Sequence, residues 1–296
     1  MEKEILDSYK LAGKITAQVR DYGKSLIKKG VKALEVCNLI EAKIKELGGV
    51  PAFPPQISIN EVAAHFCPDE EDQTEFKEGN IVKLDVGVHV NGFVGDSAVT
   101  VNLGGDEDLV RASRDALNAA LKIARPKITL SEIGRTIEET IKSYGFKPVR
   151  NLSGHGLGRF QIHTFPTIPN FDNKDLFELE ENMVIAIEPF ATNGLGLIHE
   201  KGIATIFSLV QERPVRSMIT RQILRDVKAF NELPFALRWL TKKHGLGKTM
   251  FAIKEMKNLG MIREYPPLPE QSGGFVSQAE HSLIVKDKPI ILTKSE

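Results

Sequence analysis

Cysteine is scarce in this chain of 296 residues, with Cys37 and Cys67 the only two. They make neither a disulfide framework nor a CxxC knuckle, so a reducing compartment is the simpler expectation. An excess of either charge is missing too. Lys+Arg and Asp+Glu stand at 39 each, which gives no reason to expect a nucleic-acid partner and no acidic tail. No apolar run approaches the roughly 18 residues of a membrane span. Met1-Glu2-Lys3-Glu4 leads into a mixed polar helix without the apolar core of a signal peptide. A soluble cytoplasmic protein is expected, with no membrane or nucleic-acid partner. Its length suits one large domain or a main domain with an insert.

The hydrophobic pattern predicts helices over residues 5–29 and 32–47. In the second, Leu34, Cys37, Ile40, Ile44 and Leu47 recur at helical spacing before Gly48-Gly49. A short strand is expected at 57–60. Two β-rich runs across 81–101 turn at Asn91-Gly92 and read as a hairpin. Helices follow at 107–124 and 130–143, the latter with Thr129 or Ser131 near its start and Gly145 after its end. A strand pair is expected at 183–190 and 203–209.

A weak internal repeat runs through this order. Ile44-Lys45 and Gly48 to Pro51 are echoed by Ile141-Lys142 and Gly145 to Pro148. A histidine follows each proline at similar distance, His65 and then His163. Each half then reads as an acidic loop and a strand ending in a carboxylate, Asp85 or Glu188. Two related α+β halves facing one another across a cleft would follow; chance similarity is the alternative.

Residues 193–271 have a different pattern. Helices are expected at 219–230, 235–243 and 248–259, then the turn Pro266-Pro267-Leu268-Pro269 and Gly273-Gly274. Mixed charge and the lack of a recognition helix favour an insert that shapes the cleft over a winged-helix DNA module. A last strand, 276–285, carries Glu280 back to the main sheet.

Asp85, Asp96, His155, Glu188 and Glu280 suit a hard two-metal hydrolytic centre better than structural zinc. A two-residue Asn91-Gly92 turn sets Asp85 opposite Ala98 and Asp96 opposite Gly87, so both carboxylates fall on one face as diagonal neighbours. Such neighbours have Cα atoms roughly 7–8 Å apart, and carboxylates in apolar runs need cations or donors. His155 lies in the turn-rich Asn151-Leu152-Ser153-Gly154-His155-Gly156, where glycine geometry can aim a ligand. Taken alone, Glu188 and Glu280 each suit an ion pair as well as a metal, and His65 and His163 each suit an ordinary loop histidine. No serine nucleophile elbow or cysteine-histidine dyad is evident. Cys67 reads as a small packer.

Around these residues, Leu84-Asp85-Val86-Gly87, Asp96-Ser97-Ala98, Ser153-Gly154-His155, Ile187-Glu188-Pro189-Phe190-Ala191 and Gln278-Ala279-Glu280-His281 form a specific set. With the insert after residue 190, the chain resembles the methionine aminopeptidases of the second type, in the archaeal form without a long N-terminal extension, from first helix to last strand. The resemblance implies the pita-bread fold: α+β, two pseudo-symmetric halves around a curved antiparallel sheet. Residues 1–192 and 272–296 would form the catalytic domain, and 193–271 an inserted helical, winged-helix-like subdomain. It also implies two divalent ions per chain (Co, Mn, Fe or Zn), one held by Asp85, the other by His155 and Glu188, with Asp96 and Glu280 bridging. Glu188 would move the proton of the nucleophilic water. His65 would help the amide nitrogen leave and His163 would steady the carbonyl oxygen. Phe53, Ile162 and Tyr265 would line the methionine pocket. The implied substrates are nascent polypeptides with N-terminal methionine and a small second residue; a monomer and a transient ribosome contact belong to the same expectation.

After His163 the chain departs from the commoner family wording, because Thr164-Phe165-Pro166 replaces a small, glycine-containing stretch. Pocket shape and access are open there, though the metal ligands are not affected. Two alternatives stand beside this expectation: an Xaa-Pro hydrolase with the same metal geometry, and a noncatalytic protein that binds nascent chains, ribosomes or nucleic acid. Retention of all five ligands favours an enzyme.

Overall fold

The computed structural model describes residues 1–295. The chain opens with helices α1 (Lys3–Leu26) and α2 (Ala33–Glu46), followed by strands β1 (Val50–Pro51), β2 (Gln56–Ile59), β3 (Asn80–Val90) and β4 (Phe93–Leu103). Val36, Ile40 and Ile44 of α2 and Ile15 and Val19 of α1 bury against Val82, Leu84, Val86 and Val88 of β3. Their helical spacing creates the apolar stripe that the sheet covers. The β3–β4 hairpin turns at Asn91 and Gly92, both at positive φ (55° and 88°), as a two-residue turn with matching twist requires. Its register sets Asp85 opposite Ala98 and Asp96 opposite Gly87, as expected.

The second half repeats this order with α3 (Glu107–Ile123), α4 (Leu130–Ser143), β5 (Lys147–Pro148), β6 (Ser153–Gly158), β7 (Gln161–Pro169), β8 (Val184–Ile187) and β9 (Phe190–Thr192). Asp106 caps α3 by accepting from the Asp108 and Leu109 amides. Thr129, not Ser131, caps α4, in a reciprocal box with Glu132. Ser131 instead donates to Asp172. Leu117, Leu121, Ile133 and Ile137 close the second core over Ile185 and Ile187.

A third core occupies the next stretch: β10 (Ile206–Leu209), α5 (Met218–Lys228), β11 (Phe235–Ala236), α6 (Leu237–His244), α7 (Leu246–Asn258) and β12 (Ile262–Tyr265). Ile223, Val227, Leu240, Ile253 and Met256 pack over Phe207 and Phe235. Beside it, Arg238 pairs with Glu41 of α2, and the indole of Trp239 donates to the same carboxylate at 2.8 Å. Arg238 also reaches Cys67 Sγ at 2.7 Å, and Cys67 is buried with Ile206 and Ala236. Burial is the main reason its thiol is pushed up to about 11. The chain ends with β13 (Val276–Gln278), β14 (His281–Ile284) and β15 (Ile290–Ile291). Among the described residues, no helix is long and apolar enough to cross a membrane.

All sheet pairings between named strands are antiparallel. Three expectations need correction. The segments at 183–190 and 203–209 do not pair: β8 lies between β6 and β14, whereas β10 lies between β11 and β12. The 276–285 strand is broken at Ala279-Glu280, because β13 pairs with β9 and β14 with β8. Asp85 does not end its strand; β3 runs on to the Asn91-Gly92 turn.

Candidate active site

The two halves meet where β4 lies against the broken final strand. Thr100 Oγ1 donates to Gln278 O at 2.6 Å and accepts from its amide at 2.9 Å. The Glu280 amide donates to Ala98 O at 3.0 Å, and Ser97 Oγ donates to Glu280 O at 2.7 Å. The Asp96 amide in turn donates to Ser282 Oγ at 3.0 Å. These bonds hold the hairpin carboxylates beside Glu280. Glu188 occupies the equivalent break between β8 and β9, so both glutamates leave their strands where the chain changes sheet.

His155 sits inside β6, not in a loop, paired with Ala186 on β8. A side chain at neighbouring Gly154 would come within 2.3 Å of the Ala186 carbonyl, so glycine permits the strands to approach. His155 Nε2 lies 3.8 Å from Asp96 and 3.7 Å from Glu188. Its Nδ1 faces the Gly156 carbonyl at 3.2 Å. With the proton on Nδ1 donated there, the Nε2 lone pair is left facing the carboxylates, as a metal ligand requires. Burial, with His163 nearby, lowers the pKa of His155 to about 3, and the ring is neutral at physiological pH.

His163 is the extra residue of a bulge, since Leu157 pairs with Ile162 and Gly156 with Thr164. Its ring stands edge-on to His155 at 4.5 Å. His65 packs edge-on to Tyr265 at 5.5 Å, and its amide donates to Gln56 Oε1 at 2.7 Å. Both histidines hold left-handed backbone, φ 67° at His65 and 63° at His163. That conformation is uncommon outside glycine and concentrates at functional positions. Burial lowers both to about 4, with His163 adding to the effect at His65 and Arg263 to that at His163.

A cavity of about 380 Å³ gathers all the residues expected from sequence: Asp85, Asp96, His155, Glu188 and Glu280, with His65, His163, Phe53, Ile162 and Tyr265. Of the departing stretch, Thr164 reaches this wall, whereas Phe165 turns outward onto Phe177. Cys67 does not line it.

The four carboxylates are an electrostatic burden. Burial lifts Asp85 to about 7, opposed by its hydrogen bond from Gln278. Burial and mutual repulsion also push Asp96, Glu188 and Glu280 well above the usual carboxylate range. Asp85 Oδ1, Asp96 Oδ1 and Glu280 Oε2 are buried without a hydrogen-bond donor among the described residues. Crowded, unsatisfied carboxylate oxygens are tolerated when cations neutralise them. Ligand atoms of Asp96, His155 and Glu280 all lie within 4.8 Å of one another. Oxygen-rich ligation with one imidazole fits divalent Mn, Fe, Co or Zn, so the donor set accepts the implied cations.

Sequence reasoning missed Gln278, whose Nε2 donates to Glu188 Oε2 at 3.2 Å. Its signal was available, because period two along a strand puts Gln278 on the same face as Glu280. Arg263 also lines the cavity, and no sequence pattern announced it.

The profile of metallopeptidase family M24 matches residues 7–213. The chain is 47% identical to a methionine aminopeptidase of Archaeoglobus fulgidus over 294 residues, covering 99% of each. It is 45% identical to one of Thermococcus onnurineus over 285 residues, covering 95% of this chain and 97% of that one. Among solved structures, a methionine aminopeptidase of Thermotoga maritima superposes with a TM-score of 0.74 at 26% identity, covering 100% of this chain and 98% of that one.

Proposed function

The chain belongs to metallopeptidase family M24, and from that premise we propose that it removes the initiator methionine from nascent polypeptides, preferring a small second residue, at a dinuclear metal centre. It is a metal-dependent aminopeptidase with the pita-bread fold. The second-type, archaeal form is the subtype proposed, with 1–192 and 272–296 as the catalytic domain and 193–271 as its insert. A cytoplasmic monomer in transient contact with the ribosome completes the proposal.

The observation that carries it is the convergence of four carboxylates, two buried and two half-buried, on neutral His155, three of them with a buried oxygen that no donor among the described residues serves. Asp85, Asp96, His155, Glu188 and Glu280 would together hold the two cations. Bound divalent cations supply Lewis acidity and lower the pKa of a water in their shell. Glu188, steadied by Gln278, accepts the proton of the attacking water and delivers it to the departing amine. Neutral His163 offers a ring N–H to the carbonyl oxygen as it gains charge, while His65 stands by the leaving nitrogen. Phe53, Ile162 and Tyr265 supply an apolar, aromatic-rimmed slot for the thioether.

The test is methionine release from Met-Ala-Ser by chelator-stripped protein, alone and with Mn²⁺, Fe²⁺, Co²⁺ or Zn²⁺. Metal-restored release after the first residue is expected. Cleavage of Xaa-Pro peptides alone by folded, metal-loaded protein would overturn the assignment.

A further inference from the structure

Among the described residues Arg263 is the only lysine or arginine lining the active-site cavity, and again the only one lining an adjoining cavity of about 310 Å³. The two share Ile162, His163, Thr164, Pro234 and Tyr265 as well as Arg263, so the inner site opens along this wall into an outer trough. In the β10–β12 ribbon Arg263 lies opposite Ser208 and Tyr265 opposite Ile206. Period two sets Arg263 and Tyr265 on one face, and the Tyr265 hydroxyl is tied to Ser208 Oγ at 3.1 Å.

The arginine is unspent. Among the described residues Arg263 has no ion-pair partner, which it shares with several surface arginines; what sets it apart is that it lines both cavities. Glu232 lines the outer trough as well, without forming an ion pair with Arg263.

If the carboxylates and the thioether slot take the amino-terminal residue, the outer trough offers the chain beyond the scissile bond a way out past Arg263. An extended peptide advances about 3.3 Å per residue, which brings the first few leaving-side residues past Arg263. We propose that Arg263 determines specificity on the leaving side, by pairing with a carboxylate carried shortly after the methionine. This rests on the methionine aminopeptidase assignment above. A guanidinium fork matches a carboxylate in a two-point contact that an ammonium cannot copy. The carboxylate has two sources, an acidic side chain or the free terminus of a short peptide.

The experiment compares kcat/KM for methionine release from C-terminally amidated Met-Ala peptides carrying Asp, Ser or Lys at the third or fourth residue. Met-Ala-Ser as free acid and amide forms a second arm. At low salt the protein should favour Asp over Lys by about three- to five-fold at one position, the range of an exposed ion pair, and high salt should erase the difference. Arg263→Gln should abolish the ratio and Arg263→Glu should invert it. A preference for the free acid over the amide would assign the carboxylate to the peptide terminus as well. Equal rates for Asp and Lys at both positions, with no acid–amide difference in the unsubstituted protein, would overturn the proposal. So would an unchanged ratio in Arg263→Gln. Failure to release methionine from any of these peptides would instead bring down the underlying assignment, and this one with it.

Discussion

The Gln278 carboxamide holds the Glu188 carboxylate through a 3.2 Å bond from Nε2 to Oε2, while Thr100 clamps the Gln278 backbone on both sides of its peptide unit. Gln278 thus orients a residue proposed both as ligand and as proton carrier. Partners that orient ligands typically change metal affinity or activity by about 10–100-fold when lost. Gln278→Ala is expected to fall in that range, read by calorimetric metal titration of chelator-stripped protein beside turnover. Metal affinity and turnover both unchanged would remove Gln278 from the site.

Glu188→Gln keeps the side-chain size while removing its charge and its ability to take a proton. Turnover should drop by about 100-fold or more, the scale of a lost general base, while circular dichroism shows the fold retained. Near-parental turnover under matched metal loading would sink the assignment of Glu188 as the base.

Arg238 is fully buried at the joint with Glu41 and Cys67. Arg238→Ala leaves the partly exposed Glu41 carboxylate with the Trp239 indole but no cation, and should destabilise the fold by about 1–3 kcal/mol, short of the cost of breaking a fully buried pair. Trp239, the chain's single tryptophan, donates to the same carboxylate. Its emission should therefore shift in the variant before the denaturant transition. An unshifted spectrum with parental stability would show that Arg238 does not hold this joint.

Asp172 accepts from Ser131, Arg135 and Lys174, and these bonds, led by Lys174, hold its carboxyl far below 3.8. A depressed folded-state pKa contributes stability above the unfolded value and loses it as pH falls through the folded one. Asp172→Asn should therefore be less stable than the parent by a constant margin above about pH 5, and the margin should shrink below about pH 4. Urea denaturation at pH 7, 4 and 3 measures it; a margin independent of pH would contradict the linkage.

The hairpin that carries Asp85 and Asp96 was legible to the residue, because a two-residue Asn-Gly turn fixes register and alternation fixes the face. The helices were legible for the same kind of local reason. The strand end at Glu188 was legible too, in the apolar run before it, but the break at Glu280 was not, since it arises where the chain changes sheet partner, a tertiary event with no local signature. His163 read as a loop residue because a bulge within β7 cannot be inferred from one strand alone. Arg263 was invisible for a further reason: its meaning lies in the cavity it shares with residues a hundred positions away. The internal repeat had a backbone counterpart that sequence does not display, the matched left-handed conformations of His65 and His163.

Glu280 comes from the break between the last long-range strands, pinned by Ala98 and Ser97. Translation therefore delivers the amino-terminal carboxylates long before the residue that completes them. The proposed metal site stays unfinished until the Gln278–His281 segment has been made and folded back onto β4, and a chain cut before Gln278 would lack one proposed ligand while keeping the other four.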